Sequence, residues 1–170
     1  MKIVLSALFS LMVFISTAQK MEPHPSSDSI LITGLVNKQI KIPIADLKSM
    51  PDTSFAMLKI LNHHGEFKAN YREVKAVALK NIFDKNLPSS AKPKEMYSLY
   101  FVCKAMDGYT IVYSYNELFT DDTKIFIVTA YDGLDLKSMP EKPMLLIMTG
   151  SATGKIGMRG IKSIEVKRAE

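Results

Sequence analysis

One cysteine, no tryptophan, three histidines, eight glycines and eight prolines occur in 170 residues, and each scarcity closes off a class of protein. A lone Cys cannot build a disulfide scaffold, and so few Gly and Pro cannot build a collagen-like repeat. No apolar run reaches the ~20 residues that a helix needs to cross a bilayer. There is neither an internal repeat nor a block of like charge. What is present, 47% hydrophobic and 23% charged residues, is too apolar for wholesale disorder and long enough for one domain rather than two. The formal charge of +5 is ordinary when averaged over the chain, and points to an anionic partner only where Lys and Arg gather.

The first residues predict export. Lys2 precedes an apolar run over residues 3–15, broken only by Ser6 and Ser10, and Ser16-Thr17-Ala18 supplies small residues before a cleavage point. This pattern reads as a signal peptide, residues 1–18, cut after Ala18. A membrane anchor is the competing reading, but the run is too short to span, and no Cys follows it to carry a lipid. The mature chain would have 152 residues and, without Lys2, a charge of +4. The expected location is periplasmic or secreted, with no stable membrane anchor after cleavage. In that oxidising setting Cys103, inside Leu99-Tyr100-Phe101-Val102-Cys103, reads as a buried structural thiol rather than a nucleophile or ligand.

Residues 19–29 are polar and patternless, a flexible leader, and residues 30–170 have the texture of a folded domain. Residues 30–34 and 39–42 read as strands around an Asn37-Lys38 turn. Residues 43–51 read as one helical turn closed by Pro51, and 55–61 as a strand. Val74, Val77, Ala78 and Ile82 fall at helical spacing, which predicts the best helix of the chain over residues 74–83. Residues 86–94 read as a loop. Strands are expected at 98–104 and 109–115 around Asp107-Gly108, whose pair favours the positive φ of a tight hairpin. A helical turn at 116–119 leads to two apolar strands, 124–130 and 144–148, expected to be covered on both faces. A Gly-containing loop, 149–157, precedes a last strand at 161–166. The sum predicts a single mixed, strand-rich α+β domain with few short helices.

Several short motifs follow one another in a telling order. Ile32-Thr33-Gly34-Leu35-Val36 precedes Ile44-Ala45-Asp46-Leu47 and Met50-Pro51; Val77-Ala78-Leu79 with Ile82-Phe83 follows. Then come Asp107-Gly108-Tyr109, Tyr131-Asp132-Gly133-Leu134-Asp135-Leu136, and Arg159-Gly160-Ile161-Lys162-Ser163-Ile164-Glu165-Val166. This series resembles the molybdopterin-binding domain of the sulfite oxidase family over residues 30–166, nearly the whole mature chain. The resemblance implies that family's fold and a cofactor cleft, with the last motif near the cofactor's phosphate.

The departures are as informative. Where the family places its metal-ligating Cys, a soft thiolate suited to molybdenum, this chain has Asn62-His63-His64-Gly65. Cys103 falls in a different strand. Met144 stands where the family tends to have Arg after Pro143, and Asp135 where it has Pro. Arg159 and Lys162 match positions whose side chains can hold an anionic group, Arg by a bidentate fork and Lys as a point charge. They follow Thr149-Gly150-Ser151-Ala152-Thr153-Gly154, a loop that lacks the Gly-Lys-Ser/Thr ending of a P-loop. Residues 137–170 hold seven Lys or Arg against three Glu, a net +4, compatible with an anion site and equally with a solvated strand edge.

His63-His64 are adjacent, so on an extended segment they point apart and chelate one ion only with help from Glu66 or Asp46. Loop histidines lining a pocket are the expectation, with no metal site. Asp121-Asp122 with Glu117 lacks the spacing of a calcium loop. Aromatic and basic residues do not interleave on one face, so no nucleic-acid partner is expected.

These readings combine into an exported molybdopterin-binding-like domain, a non-catalytic binding module for a small anionic ligand or a periplasmic protein. The candidate binding residues are Arg159, Lys162, His63, His64 and Asn62, with no catalytic residue assigned. No cofactor is the leading expectation, with molybdopterin as the possible one. The alternative is a pterin-cofactor oxidoreductase with a non-Cys metal site.

Overall fold

The Asn37-Lys38 turn joins two antiparallel strands, β1 (Ser29–Gly34) and β2 (Ile40–Pro43), as its polar residues require. The computed structural model describes residues 26–61, 64–84, 86–88, 92–119, 123–139, 142–149 and 157–170, with the backbone alone for 123–124 and 144–149. The predicted signal peptide, residues 19–25 of the leader, the pair Asp121-Asp122 and residues 150–156 lie outside the described residues.

After β2 come a single turn, α1 (Ile44–Leu47), and a long hairpin of β3 (Asp52–Leu61) and β4 (Phe67–Ala78). Two short helices follow, α2 (Leu79–Phe83) and α3 (Pro93–Tyr97), then β5 (Leu99–Ala105) and β6 (Thr110–Ser114) around Asp107-Gly108. A helix α4 (Tyr115–Phe119) leads to β7 (Thr123–Tyr131), β8 (Leu134–Asp135), β9 (Met144–Thr149), β10 (Met158–Arg159) and β11 (Ile161–Arg168). The expected strand-rich α+β class is the class observed.

The strands form two sheets. The first runs β2-β1-β11-β5-β6 and the second β10-β9-β7-β4-β3, with β8 paired to β7. In the first, β11 lies parallel to β1 and antiparallel to β5, so the end of the domain closes against its beginning. Period-2 alternation sends Ile30, Ile32, Phe101, Cys103, Ile164 and Val166 inward, all at most 1% exposed. Each such side chain contributes ~1.5–3 kcal/mol by leaving water. Thr33, Glu165, Val102 and Val112 stand in register across the other face.

Helix starts follow local chemistry. Ser114 and Glu117 form a reciprocal capping box on α4: the Ser114 N–H donates to Glu117 Oε2 at 2.7 Å, and the Glu117 N–H donates to Ser114 Oγ at 3.2 Å. Pro93 opens α3, where its missing N–H costs nothing. That turn lies partly inside the stretch expected to be loop.

One expectation is corrected. Residues 74–78, read as the start of a helix, are the end of β4, and only Leu79–Phe83 is helical. This end of β4 pairs with both β3 and β7, and Val74, Ala76 and Val77 are each at most 1% exposed. A register shift between Lys75, which is exposed, and Ala76 interrupts the strand alternation and leaves Val74 and Val77 three apart, while two valines prefer a strand to a helix. Cover on both faces makes Ile125, Phe126, Ile127, Val128 and Thr129 of β7 buried in succession, as the apolar run predicted.

Candidate functional site

The site is built where β7 turns back into β8. Tyr131 pairs with Leu134, leaving Asp132 and Gly133 as a two-residue loop with φ of 48° and 74°. Positive φ at both positions defines the hairpin turn that suits Asp-Gly. The turn is clamped to β4 from two directions: the Asp132 N–H donates to the Arg72 carbonyl at 2.8 Å, and the Arg72 N–H donates to Asp132 Oδ1 at 2.8 Å. Tyr131, 7% exposed, is thereby held beside Tyr71 of β4. Their rings stack with centroids 4.3 Å apart and planes 30° from parallel, an offset arrangement that adds ~0.5–1.5 kcal/mol to area burial.

Arg159 reaches this stack from β10. Three strand spacings, about 14 Å, separate β10 from β4 in the order β10-β9-β7-β4. The two long side chains close that gap over β9 and β7, with Arg159 Nη2 3.5 Å from Tyr71 Oη. Arg159 is half-buried, with its guanidinium at the hydroxyl edge of Tyr71. A planar cation placed there can grip an oxyanion bidentately.

The other candidates disperse. Lys162 sits on β11 at a register shift between Ile161 and Ser163, exposed, on the far side of Gly160 from Arg159. A shift of this kind is a bulge, which re-aims side chains. His64 is exposed in the turn between β3 and β4, while Asn62 and His63 lie outside the described residues. Leu58 pairs with Tyr71 and Leu61 with Phe67, so His64 lies beyond Phe67, four residues or ~13 Å of strand along the hairpin from Tyr71. Among the described residues no group of three His, Cys, Asp or Glu is arranged to hold a metal.

Tyr71 and Tyr131 were absent from the sequence-based set. Both lie in strand-forming stretches, where an aromatic reads as core, and only the Asp132-Gly133 pair marked one of them as adjoining a fixed turn.

The molybdenum site implied by the resemblance does not fit the described donor set. Cys103 is 0% exposed in β5 of the first sheet, whereas the β3–β4 hairpin, where the resemblance implies the metal loop, belongs to the second. Burial pushes its thiol up from 9.0 to about 12, so it offers no thiolate at neutral pH. No metal-dependent step follows from these residues.

Fold and site together define an α+β domain carrying a guanidinium beside the hydroxyl of a stacked tyrosine. No family model matches the chain, and no curated protein matches it. Its fold is similar to that of the sulfane dehydrogenase SoxCD from Paracoccus pantotrophus, with a TM-score of 0.59 and 15% sequence identity. The match covers 87% of this chain and 41% of that one. This chain thus spans less than half the length of its structural neighbour. Among the described residues no helix is long and apolar enough to cross a membrane.

Proposed function

We propose that this chain is an exported, molybdopterin-binding-like domain that binds a small oxyanion, phosphate in type, at Arg159 and does not itself carry out oxidoreduction. The placement of Arg159 Nη2 3.5 Å from Tyr71 Oη, beside the Tyr71–Tyr131 stack, carries the reading. Support for the related domain comes from the ordered motifs and from the likeness to SoxCD, whose SoxC is a molybdoenzyme of the sulfite oxidase family. Support for a binding role comes from Asn62-His63-His64-Gly65 in place of a thiolate loop and from the buried Cys103.

The test is titration of the full chain with inorganic phosphate and pyrophosphate, followed by phosphorus NMR. Arg159→Ala should weaken binding by roughly tenfold or more, about 1.4 kcal/mol, and Arg159→Lys should fall between. Equal affinity in native protein and Arg159→Ala would sink the reading. The oxidoreductase alternative, also supported by the likeness to a molybdoenzyme, requires purified native protein to contain stoichiometric molybdenum and to release a fluorescent pterin. Export is checked separately: the secreted protein should begin at Gln19.

A further inference from the structure

A concavity lies at the other end of β8, away from the Tyr131 turn. About 440 Å³ in volume, it opens between α1 and the turn that follows β8, within the range of small-molecule sites. Its floor is apolar: Leu136 is 0% and Ile44 8% exposed, and Pro43 and Ala45 extend it. Three ammonium groups stand around it, from Lys48 at the end of α1, Lys137 after β8 and Lys142 before β9, with Asp28 the one carboxylate on the lining among the described residues.

The walls are fixed by backbone bonds. The Ile44 N–H donates to the Asp28 carbonyl at 3.0 Å, and the Ser27 N–H donates to the Lys142 carbonyl at 2.8 Å. Three separate segments are thus tied into one frame. Lys48 is held by Asp135 at 2.6 Å, and Lys142 Nζ sits 3.5 Å from the Lys137 carbonyl. Lysines set around apolar surface offer a bound anion positive charge beside a floor that excludes water.

We infer that this cavity is a binding site for a small monocarboxylate with a short apolar body, of the size and character of a medium-chain fatty acid. The apolar floor selects an alkyl or aryl group over an inorganic ion. Among the described residues, three Lys against Asp28 on the lining and Asp135 on Lys48 leave a net +1, which suits one negative charge. Lysine grips a carboxylate as a point charge and needs no fork geometry. The site shares no residue with the Arg159 face.

Octanoate is the probe, titrated into the full chain and followed by the amide shifts of Ala45, Leu136 and Lys137. Saturable binding should appear, with octanamide and acetate weaker by roughly tenfold or more, since each lacks one half of the recognised chemistry. The double variant Lys137→Ala/Lys142→Ala should lose binding to a similar degree. Ala45→Trp, which keeps the charge and fills the mouth from an exposed position on α1, should lose it as well. Arg159→Ala should leave octanoate affinity unchanged, which separates this site's failure from that of the phosphate site. Octanamide binding as tightly as octanoate, either cavity variant binding as the native chain does, or no saturation into the millimolar range would overturn the assignment.

Discussion

Gly34 faces Val166 across the parallel pair of β1 and β11 so closely that a Cβ on Gly34 would overlap the Val166 carbonyl oxygen. The Leu35 N–H donates to that same oxygen at 2.9 Å, and Gly34 has a φ of 86°. Two requirements therefore meet at one residue: no side chain, and a left-handed backbone. The junction also joins the first strand to the last, so its loss is felt by the whole first sheet.

Gly34→Ala should accordingly cost about 3 kcal/mol or more, combining positive-φ strain with a clash against backbone that cannot move aside. Gly108→Ala is the control. Gly108 has a φ of 89° with open space around its missing Cβ, so its cost should be strain alone, ~1–2 kcal/mol. Urea unfolding of both variants reads the difference; equal midpoints would show that the Val166 contact does not constrain the fold.

Cys103 should resist thiol reagents in the folded protein. Its side chain is 0% exposed and burial raises its pKa to about 12, so at pH 8 both access and thiolate are lacking. Labelling should appear only with unfolding. The raised value also has a consequence for stability. Between pH 9 and about 12 the unfolded chain loses the thiol proton while the folded chain keeps it, so stability is fully present below 9 and falls as pH rises through that window. Tyr113, also pushed up first by burial, acts in the same direction. Cys103→Ala should flatten part of the alkaline decline, measured by denaturant titration at pH 8, 9.5 and 11.

Asp135 predicts the opposite limb. The Lys48 ammonium, with the Ser138 N–H and hydroxyl, holds its carboxyl down at about 2, while Oδ1 accepts the Lys137 N–H at 3.0 Å. A depressed acid stabilises above its unfolded value of ~3.9, and that contribution fades as pH falls toward 2. The pair is solvent-exposed and screened by salt, so the effect is small. Native protein should lose stability relative to Asp135→Asn between pH 4 and pH 2, most clearly at low ionic strength. Asp135 thus has a structural occupation of its own, tying α1 to β8.

The strands flanking Asn37-Lys38 and Asp107-Gly108 were legible because turn chemistry and period-2 alternation coincide there. Residues 74–78 were misread because the register shift between Lys75 and Ala76 interrupts the strand alternation and leaves Val74 and Val77 at a helical spacing. The first half of β4, residues 67–73, went unseen although Phe67, Ala69 and Tyr71 alternate with Lys68, Asn70 and Arg72, because the alternation is carried by few apolar side chains and Phe67 stays exposed. Arg159 was legible as a cation after a Gly-rich stretch, whereas its partner Tyr71, 88 residues away in sequence, could be found only once β10 and β4 shared a sheet.

Asp132, which fixes the turn next to that distant partnership, makes a last prediction. Its side chain accepts the Arg72 N–H at 2.8 Å while its own backbone adopts a φ of 48°, so it both shapes the turn and locks it to β4. Asp132→Asn keeps an acceptor and tolerates the left-handed region, and should behave as the native chain. Asp132→Gly keeps the turn but drops the lock, at a cost of about 1 kcal/mol. Asp132→Ala drops the lock and adds strain, for about 2–3 kcal/mol in all. If Tyr131 supports Tyr71 and, through it, Arg159, phosphate affinity measured where every variant is folded should follow the same order, Asn above Gly above Ala. Affinity that stays level while stability falls would assign the turn to folding alone and leave Arg159 to hold its anion without the aromatic brace.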